Sequence, residues 1–518
     1  MKLTIYRDNT HIVLEYRTPE RLSTLFARAG IPLSMPCGGQ RRCLKCRVIA
    51  KGALSPLSEE ERRLLSPEEI AGGVRYACMT EALGDAEVWL PDSEQRQRIQ
   101  VSGSLPQPVG ALGEPGYGAA FDIGTTTIAA YLCRMESGEI LATASRKNPQ
   151  AVFGADVISR ITRAMEGEGQ ALADAVRQAI AALLDTLAGK AGIPRDAIRA
   201  MVLTGNTAME YLLMGYDPTA ISRAPFAPDH FFGVFTSADR LGLGTAETTV
   251  YLTRCISAYV GGDITSGILA TRMKDADAPV LLADIGTNGE LALAFGGKLF
   301  CCSTAAGPAF EGAGIYQGMT ASDGAISRVW AEDGGLQYEV IGGGTPQGIC
   351  GSGIIDAVAA CLALGYLDET GAIDDLLPDE IYREVDDQPA IVFPNSDILL
   401  TQKDIRAVQL AKSAICSGME TLLAEAGLSA EQMGQLLIAG GFGTVLNLES
   451  AAAIGLIPKA LADKARPVGN AAGMGAILQL LTAEERAAAE ALAGKAETLE
   501  LSTHPVFREA YIENMMFE

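Results

Sequence analysis

AAFDIGTTTIAAYL (119–132) and LLADIGTNGELAL (281–293) carry one pattern twice: an apolar strand, Asp-Ile-Gly-Thr, and a second apolar strand. The aspartates, Asp122 and Asp284, stand 162 positions apart. In each unit a strand delivers a carboxylate into a tight glycine turn, which leaves backbone N–H groups and hydroxyls facing one point, as a phosphate requires. Gly124, Thr125, Thr126 and Thr127 form the first such turn, and Gly286, Thr287 and Asn288 the second. One turn of this kind is common and usually structural. Two facing each other would pinch a polyphosphate, with Asp122 and Asp284 holding Mg²⁺ through waters. A strand–turn–strand unit repeated at this spacing implies a fold built from two related halves.

Outward from these loops, residues 119–518 alternate strands with long amphipathic helices, an α/β pattern. The clearest helices are 171–192 and 403–427, the latter opening on a capping box, Thr401 to Asp404, with Asp in the usual Glu position. LIAGGFG (437–443) is a buried strand running into a glycine turn, where Gly440, Gly441 and Gly443 would let the backbone approach a base or ribose. GNAAGMGA (469–476) opens a helix of small residues, and LTGNTAM (203–209) is a comparable polar turn in the first half. No GxxxxGK[ST] stretch is present, which excludes P-loop chemistry. The order of these segments resembles the phosphate-1, connect-1, phosphate-2, adenosine and connect-2 motifs of the ASKHA superfamily of actin, acetate kinase and sugar kinases. That resemblance implies two RNase-H-like lobes with ATP in the cleft between them, here 118–278 and 279–518.

The first 92 residues read differently. Lys2–Tyr6 and His11–Tyr16 alternate as a β-hairpin around Asp8-Asn9, Pro19–Gly30 has helical spacing, and strands follow at Arg47–Ala50 and Ala86–Leu90. Cys37, Cys43, Cys46 and Cys78 fall at C-x5-C-x2-C-x31-C, three thiolates able to wrap one metal centre and a fourth to close it, with Gly38 and Gly39 admitting backbone amides to the sulfurs. Structural zinc also accepts four cysteines, although only Cys43–Cys46 has the knuckle spacing such sites use. The loop and the elements before it resemble the adrenodoxin-like branch of β-grasp [2Fe–2S] ferredoxins, which implies a [2Fe–2S] domain over 1–92. Residues 93–117, rich in Pro and Gly, read as a flexible linker.

Composition narrows the partners. With 41 Lys and Arg against 63 Asp and Glu the net charge is −22, which repels nucleic acid and anionic membrane surfaces. Hydrophobic residues at 48% with 20% charged are globular, and no run approaches the ~18 apolar residues of a membrane span. MKLTIYRD is no secretory signal, and the eleven cysteines are then expected as thiols or metal ligands in a cytoplasmic protein. Cys133, Cys255, Cys301, Cys302, Cys350, Cys361 and Cys416 read as core residues, and His230, in a loop after Pro228-Asp229, as structural or solvated.

The whole chain is similar to the ATP-dependent reductive activators of corrinoid proteins. The likeness is carried by the paired DIGT, AYVGGD (258–263), GICGSGIID (348–356), the DIRxxQLAK helix (404–412) and GGFG…IGLIP (440–458). It implies an ATP-hydrolysing iron–sulfur activase that returns one electron to an inactive Co(II) corrinoid protein of a methyltransferase system, fed by a low-potential donor and acting as a homodimer. It further implies Cys37, Cys43, Cys46 and Cys78 as cluster ligands, and Asp122 and Asp284 as organisers of Mg²⁺. Asp263 would orient the attacking water or cap the helix 264–272. Lys412 and Ser413 would lie beside the adenosine or on a solvated helix face. Rival readings are a 2-hydroxyacyl-CoA dehydratase-type activator, an ASKHA small-molecule kinase with a redox-sensing ferredoxin domain, and an actin-like scaffold.

Overall fold

The computed structural model describes residues 1–7, 10–29, 31, 33, 41, 46–90, 102–441 and 445–517. The Asp8-Asn9 turn, Cys37, Cys43, the flanking Gly38 and Gly39, Gly443 and the start of the expected linker lie outside them.

Strands β1 (Lys2–Arg7) and β2 (Thr10–Glu15) pair antiparallel, as their alternation requires. With β3 (Arg47–Leu54), β4 (Val74–Tyr76) and β5 (Glu81–Trp89) they form a sheet in the order β2-β1-β5-β3-β4. Helix α1 (Leu22–Arg28) buries Leu22, Leu25 and Phe26 against Leu3, Ile5 and Val88 on one face of that sheet. A mixed sheet crossed by one helix is the β-grasp arrangement.

Two further sheets share one topology. In the first, β6 (Tyr117–Ile123), β7 (Thr127–Arg134) and β8 (Ile140–Lys147) form an antiparallel meander. β9 (Ile198–Gly205) lies parallel to β6, and β11 (Thr249–Leu252) parallel to β9, with β10 (Val234–Ser237) at the edge. In the second, β12 (Val280–Ile285), β13 (Gly289–Phe295) and β14 (Lys298–Thr304) form the meander, and β15 (Gln435–Ala439) and β16 (Ala465–Gly469) add in parallel on the β12 side. The repeat read in the sequence is therefore a repeat of tertiary structure, two RNase-H-like α/β lobes. Long helices cover the sheets: α2 (Gly169–Ala191) in the first lobe and α6 (Gln402–Ala426) in the second, where α5 (Gly351–Ala363) joins the same core. The α6 capping box forms, Asp404 N–H donating to Thr401 Oγ1 at 3.2 Å and Thr401 N–H to Asp404 Oδ2 at 2.9 Å.

The lobes meet where α4 (Gly262–Thr271), which follows α3 (Thr207–Met214), crosses α7 (Ala471–Leu481). At Gly475 a Cβ would stand 1.9 Å from the Ser266 carbonyl oxygen, so only glycine permits this approach. Beneath the crossing Gln479 is fully buried; its amide donates to Ser266 Oγ at 2.9 Å and its carbonyl accepts from Thr253 at 3.2 Å. Buried polar groups satisfied in this way tie one register of the two helices to one another.

Two segments differ from expectation. Residues 102–109 are pinned to the two lobes rather than free. The Ser102 carbonyl accepts from Asn470 N–H at 3.1 Å, and Arg272 donates to the Gln107 carbonyl at 3.1 Å. Val109 N–H donates to Glu485 Oε1 at 2.6 Å, on α8 (Ala483–Ala493). Lys412 and Ser413 neither approach the nucleotide cleft nor face solvent. Both are buried, Lys412 Nζ donating to the Met516 carbonyl and Ser413 Oγ to the Tyr511 carbonyl at 2.5 Å, which fastens α9 (Pro505–Glu513) and the residues after it against α6. A long helix that reads as amphipathic can be covered on its polar side by a distant segment.

Candidate nucleotide cleft and cysteine pair

The glycine turns close the β6–β7 and β12–β13 hairpins, and the register of those hairpins decides what stands beside each aspartate. Asp122 opposes Ala129, whereas the shorter second turn sets Glu290 opposite Asp284. Asp122, Asp263, Asp284 and Glu290 line one cavity of ≈ 280 Å³ between the lobes. The same cavity is lined by Gly124, Thr125, Thr126, Thr127, Gly286, Thr287, Asn288, Gly440 and Gly441, so the described residues read as nucleotide contacts come together. Gly440 also meets a demand of the fold itself. Its φ is +90°, and a Cβ there would lie 2.8 Å from Asp284 Oδ1.

Asparagines from both lobes set the acids and hydroxyls. Asn470, N-cap of α7, accepts from Gly473 N–H at 2.7 Å and donates through Nδ2 to Asp122 Oδ2 at 2.8 Å. Asn206, N-cap of α3, donates to Thr125 Oγ1 at 3.1 Å. Arg160 is fully buried behind the first turn and donates to the Thr125 carbonyl at 2.6 Å. Asp263 sits within the first turn of α4, whose N-cap is Gly261; it lines the cavity with the other acids, and its Oδ1 also accepts from the Ile264 N–H at 2.8 Å. Neither Glu290 nor Arg160 stood out in the sequence. Glu290 was legible in principle, because turn length fixes which residue faces Asp284.

Burial drives the titration of this cluster. It raises Asp122 to about 7, helped by the charge of Asp284 and opposed by the Asn470 hydrogen bond. It raises Asp284 to about 6. Burial and then the charges of Asp284 and Asp122 raise Asp263 to about 8, and Glu290 is pushed well above the ordinary carboxylate range by burial and by Asp263 and Asp284. A carboxyl whose folded value is raised favours folding most when protonated; that contribution is lost as pH climbs through the folded value. Protein stripped of nucleotide and divalent cation should therefore lose thermal stability progressively from about pH 4, the ordinary carboxylate value, to about pH 8, and level off above it. Mg²⁺–nucleotide should restore it while releasing protons, a release measurable by titration calorimetry in buffers of different ionisation enthalpy. A cation that binds without proton release would contradict this.

The donor set suits a hard divalent cation, all carboxylate oxygen. Among the described residues no three such side chains stand close enough to hold an ion directly, which fits coordination through waters. In the N-terminal domain, Cys46 Sγ and Cys78 Sγ lie 3.3 Å apart, both buried, although 32 positions separate them in sequence. Two thiols brought together in this way fit one metal centre. The other seven cysteines are buried and apart from it.

A duplicated α/β fold with paired Asp-Ile-Gly-Thr turns facing across an interlobe cleft defines an ASKHA-type nucleotide-cleft protein. Family comparisons narrow this: residues 278–518 match the C-terminal ASKHA domain of RACo and residues 117–276 the RACo middle region. The corrinoid activation enzyme RamQ of Eubacterium limosum is 36% identical over 96% of both chains. The chain belongs to the RACo family. A reductase of Methanosarcina barkeri, named for a Co(II) methylated amine-specific corrinoid protein, is 26% identical over 66% of each chain. A solved structure titled reductive activator for corrinoid, iron–sulfur protein superimposes with TM-score 0.71 at 30% identity, covering 99% of this chain and 98% of that one. Among the described residues no helix is long and apolar enough to cross a membrane.

Proposed function

We propose that the protein is an ATP-dependent reductive activator of a corrinoid protein, returning one electron to inactive Co(II) and so restoring Co(I) in a corrinoid-dependent methyltransferase system. The observation that carries this reading is the end-to-end relationship, 36% identity over 96% of both chains, to a protein named as a corrinoid activation enzyme. The cleft and the cysteine pair in one chain supply a physical rationale.

Cys37, Cys43, Cys46 and Cys78 would hold a [2Fe–2S] cluster, which when bound supplies one-electron transfer. Plant-type clusters lie near about −400 mV. A shortfall of ~200 mV against the acceptor would cost about 4.6 kcal/mol for one electron, taking ~1.4 kcal/mol per 59 mV. ATP is expected to offset that cost by closing the cleft and changing how the corrinoid partner is held. The chain has contacts suited to such coupling. Thr126 and Thr287, one from each phosphate turn, have hydroxyls 3.4 Å apart. Asn470, which holds Asp122, donates its backbone N–H to the carbonyl of Ser102 in the segment leading from the N-terminal domain. Asp122 and Asp284 would organise Mg²⁺, with Asp263 beside them on the cation side. Thr125, Thr126, Thr127, Gly124, Gly286, Thr287 and Asn288 would surround the phosphates, and Gly440, Gly441 and Gly443 the adenosine. The domains assigned are 1–92, 93–117, 118–278 and 279–518, acting in the cytoplasm as a homodimer fed by a low-potential donor.

The test mixes anaerobically purified protein with a Co(II) corrinoid protein and a low-potential reductant, and follows the Co(II) EPR signal with and without ATP. Loss of the signal only with ATP is the expected result. A signal that persists with several corrinoid partners while the cluster reduces normally would remove cobalt as the acceptor and favour a dehydratase-type activator or a kinase.

A further inference from the structure

The acids of the cleft fall into two groups. Asp122, Asp263, Asp284 and Glu290 repel one another on the cation side. Glu311 stands apart from them, in a short helical turn, Pro308–Glu311, that follows β14. Its Oε2 accepts from Thr126 Oγ1 at 2.8 Å and from Thr287 Oγ1 at 3.1 Å, one hydroxyl from each phosphate turn. Its Oε1 lies over Gly286, 3.8 Å from where a Cβ would sit. Thr126, Glu311, Met319 and Thr320 also line a second cavity of ≈ 430 Å³, which contains Lys147, Arg160 and, from the N-terminal domain, Leu33. Glu311 thus forms part of the wall between the two cavities, and Gly440 and Gly441 line only the first.

A group that activates water for attack on a terminal phosphate must reach the phosphate turns from the side away from the nucleoside, with room for the water and without being engaged by the cation. We propose that Glu311 is the catalytic residue that orients and deprotonates the attacking water in ATP hydrolysis, the role for which the sequence offered Asp263. The second cavity has space for that water, whose share of liquid volume is about 30 Å³. Water oxygen bonds to the γ-phosphorus while the bond from γ-phosphorus to the bridging oxygen breaks. The bridging oxygen leaves with the electron pair on ADP, the water proton passes to Glu311, and phosphate is the second product. Burial raises the Glu311 carboxyl above its ordinary value, in the direction that makes it a stronger base, and the two threonine hydroxyls oppose this. The assignment rests on the ATPase reading above.

The experiment measures single-turnover hydrolysis of ATP, with full-length protein in excess, for the parent, Glu311→Gln and Glu311→Asp, together with nucleotide affinity. Glu311→Gln keeps size and an acceptor oxygen for the threonines but removes the base. It should hydrolyse ATP about 10²-fold more slowly, with Glu311→Asp in between and with nucleotide affinity changed by less than about threefold. Hydrolysis by Glu311→Gln within about threefold of the parent would overturn the assignment. Faster hydrolysis or tighter ATP binding would overturn it in favour of a carboxylate that occupies the phosphate position until displaced. Loss of all nucleotide binding would overturn it too, making Glu311 part of the pocket wall. A parent that hydrolyses no ATP overturns the ATPase reading itself, which separates the two failures.

Discussion

Cys78→Ser should abolish reduction of the corrinoid partner while leaving nucleotide binding and hydrolysis nearly intact. Cys78 lies in the turn after β4 and Cys46 just before β3. Ala77 N–H donates to the Cys46 carbonyl at 2.9 Å, so the two backbones are tied beside the sulfurs. Serine preserves that backbone and the packing volume but offers a hydroxyl where an iron–sulfur centre needs a thiolate. The expected result is loss of the visible absorption of the cluster and no ATP-dependent loss of the Co(II) EPR signal. ATP hydrolysis should stay within about twofold, because the cleft lies in two other sheets with no residue shared with the cysteine pair. Loss of hydrolysis along with the cluster would show that the N-terminal domain is part of the ATPase, not its output. Retention of the absorption with only three cysteines would put the ligand assignment in error.

Asp284→Asn should lower ATP hydrolysis by about 10²–10³-fold, the range seen when one preorganised electrostatic contact is removed from a buried transition-state site. The change is nearly isosteric, which matters because Gly440 packs directly over the carboxylate. What it removes is charge opposite Glu290 and near Asp122 and Asp263. Stripped of cation, the variant should be at least as stable as the parent, since a buried repulsion is relieved. Asp122→Asn should act in the same direction, and the double variant should lose less than the product of the single losses, because both side chains organise one ion. Metal-dependent hydrolysis and thermal denaturation without metal separate these effects. An Asp284→Asn protein with parental hydrolysis, or losses that multiply fully, would mean that the two aspartates do not serve one cation.

Much of the architecture was open to reading because its signals are local. Leu22, Leu25 and Phe26 at helical spacing sit on the buried face of α1, and the Thr401–Asp404 capping box forms as the spacing implies. The DIGT turns declared themselves through glycine and hydroxyl residues within a few positions of an apolar strand. Their duplication was visible because both lobes keep the same strand–turn–strand chemistry. Other features depend on contacts remote in sequence. Lys412 and Ser413 read as polar positions on a helix, yet the chain end at Tyr511–Met516 supplies carbonyls that satisfy them in the interior. The Pro- and Gly-rich linker reads as a tether, yet Asn470, Arg272 and Glu485 hold its residues 102–109.

By itself the sequence determined the duplicated α/β fold, the phosphate turns, the cysteine pattern and, through motifs along the whole chain, the family. All of these are written in spacings of a few residues, where backbone periodicity and turn chemistry leave little choice. Only the tertiary structure decided how the acids divide. Asp284 and Glu290 are paired locally by one short hairpin, but the meeting of the lobes brought Asp263 and Asp122 into the same cavity, and the turn after β14 delivered Glu311 between Thr126 and Thr287. A carboxylate's role depends on which charges and hydroxyls surround it and on how much water is excluded. Those surroundings come from two lobes meeting across a cleft, so no single stretch of chain contains them.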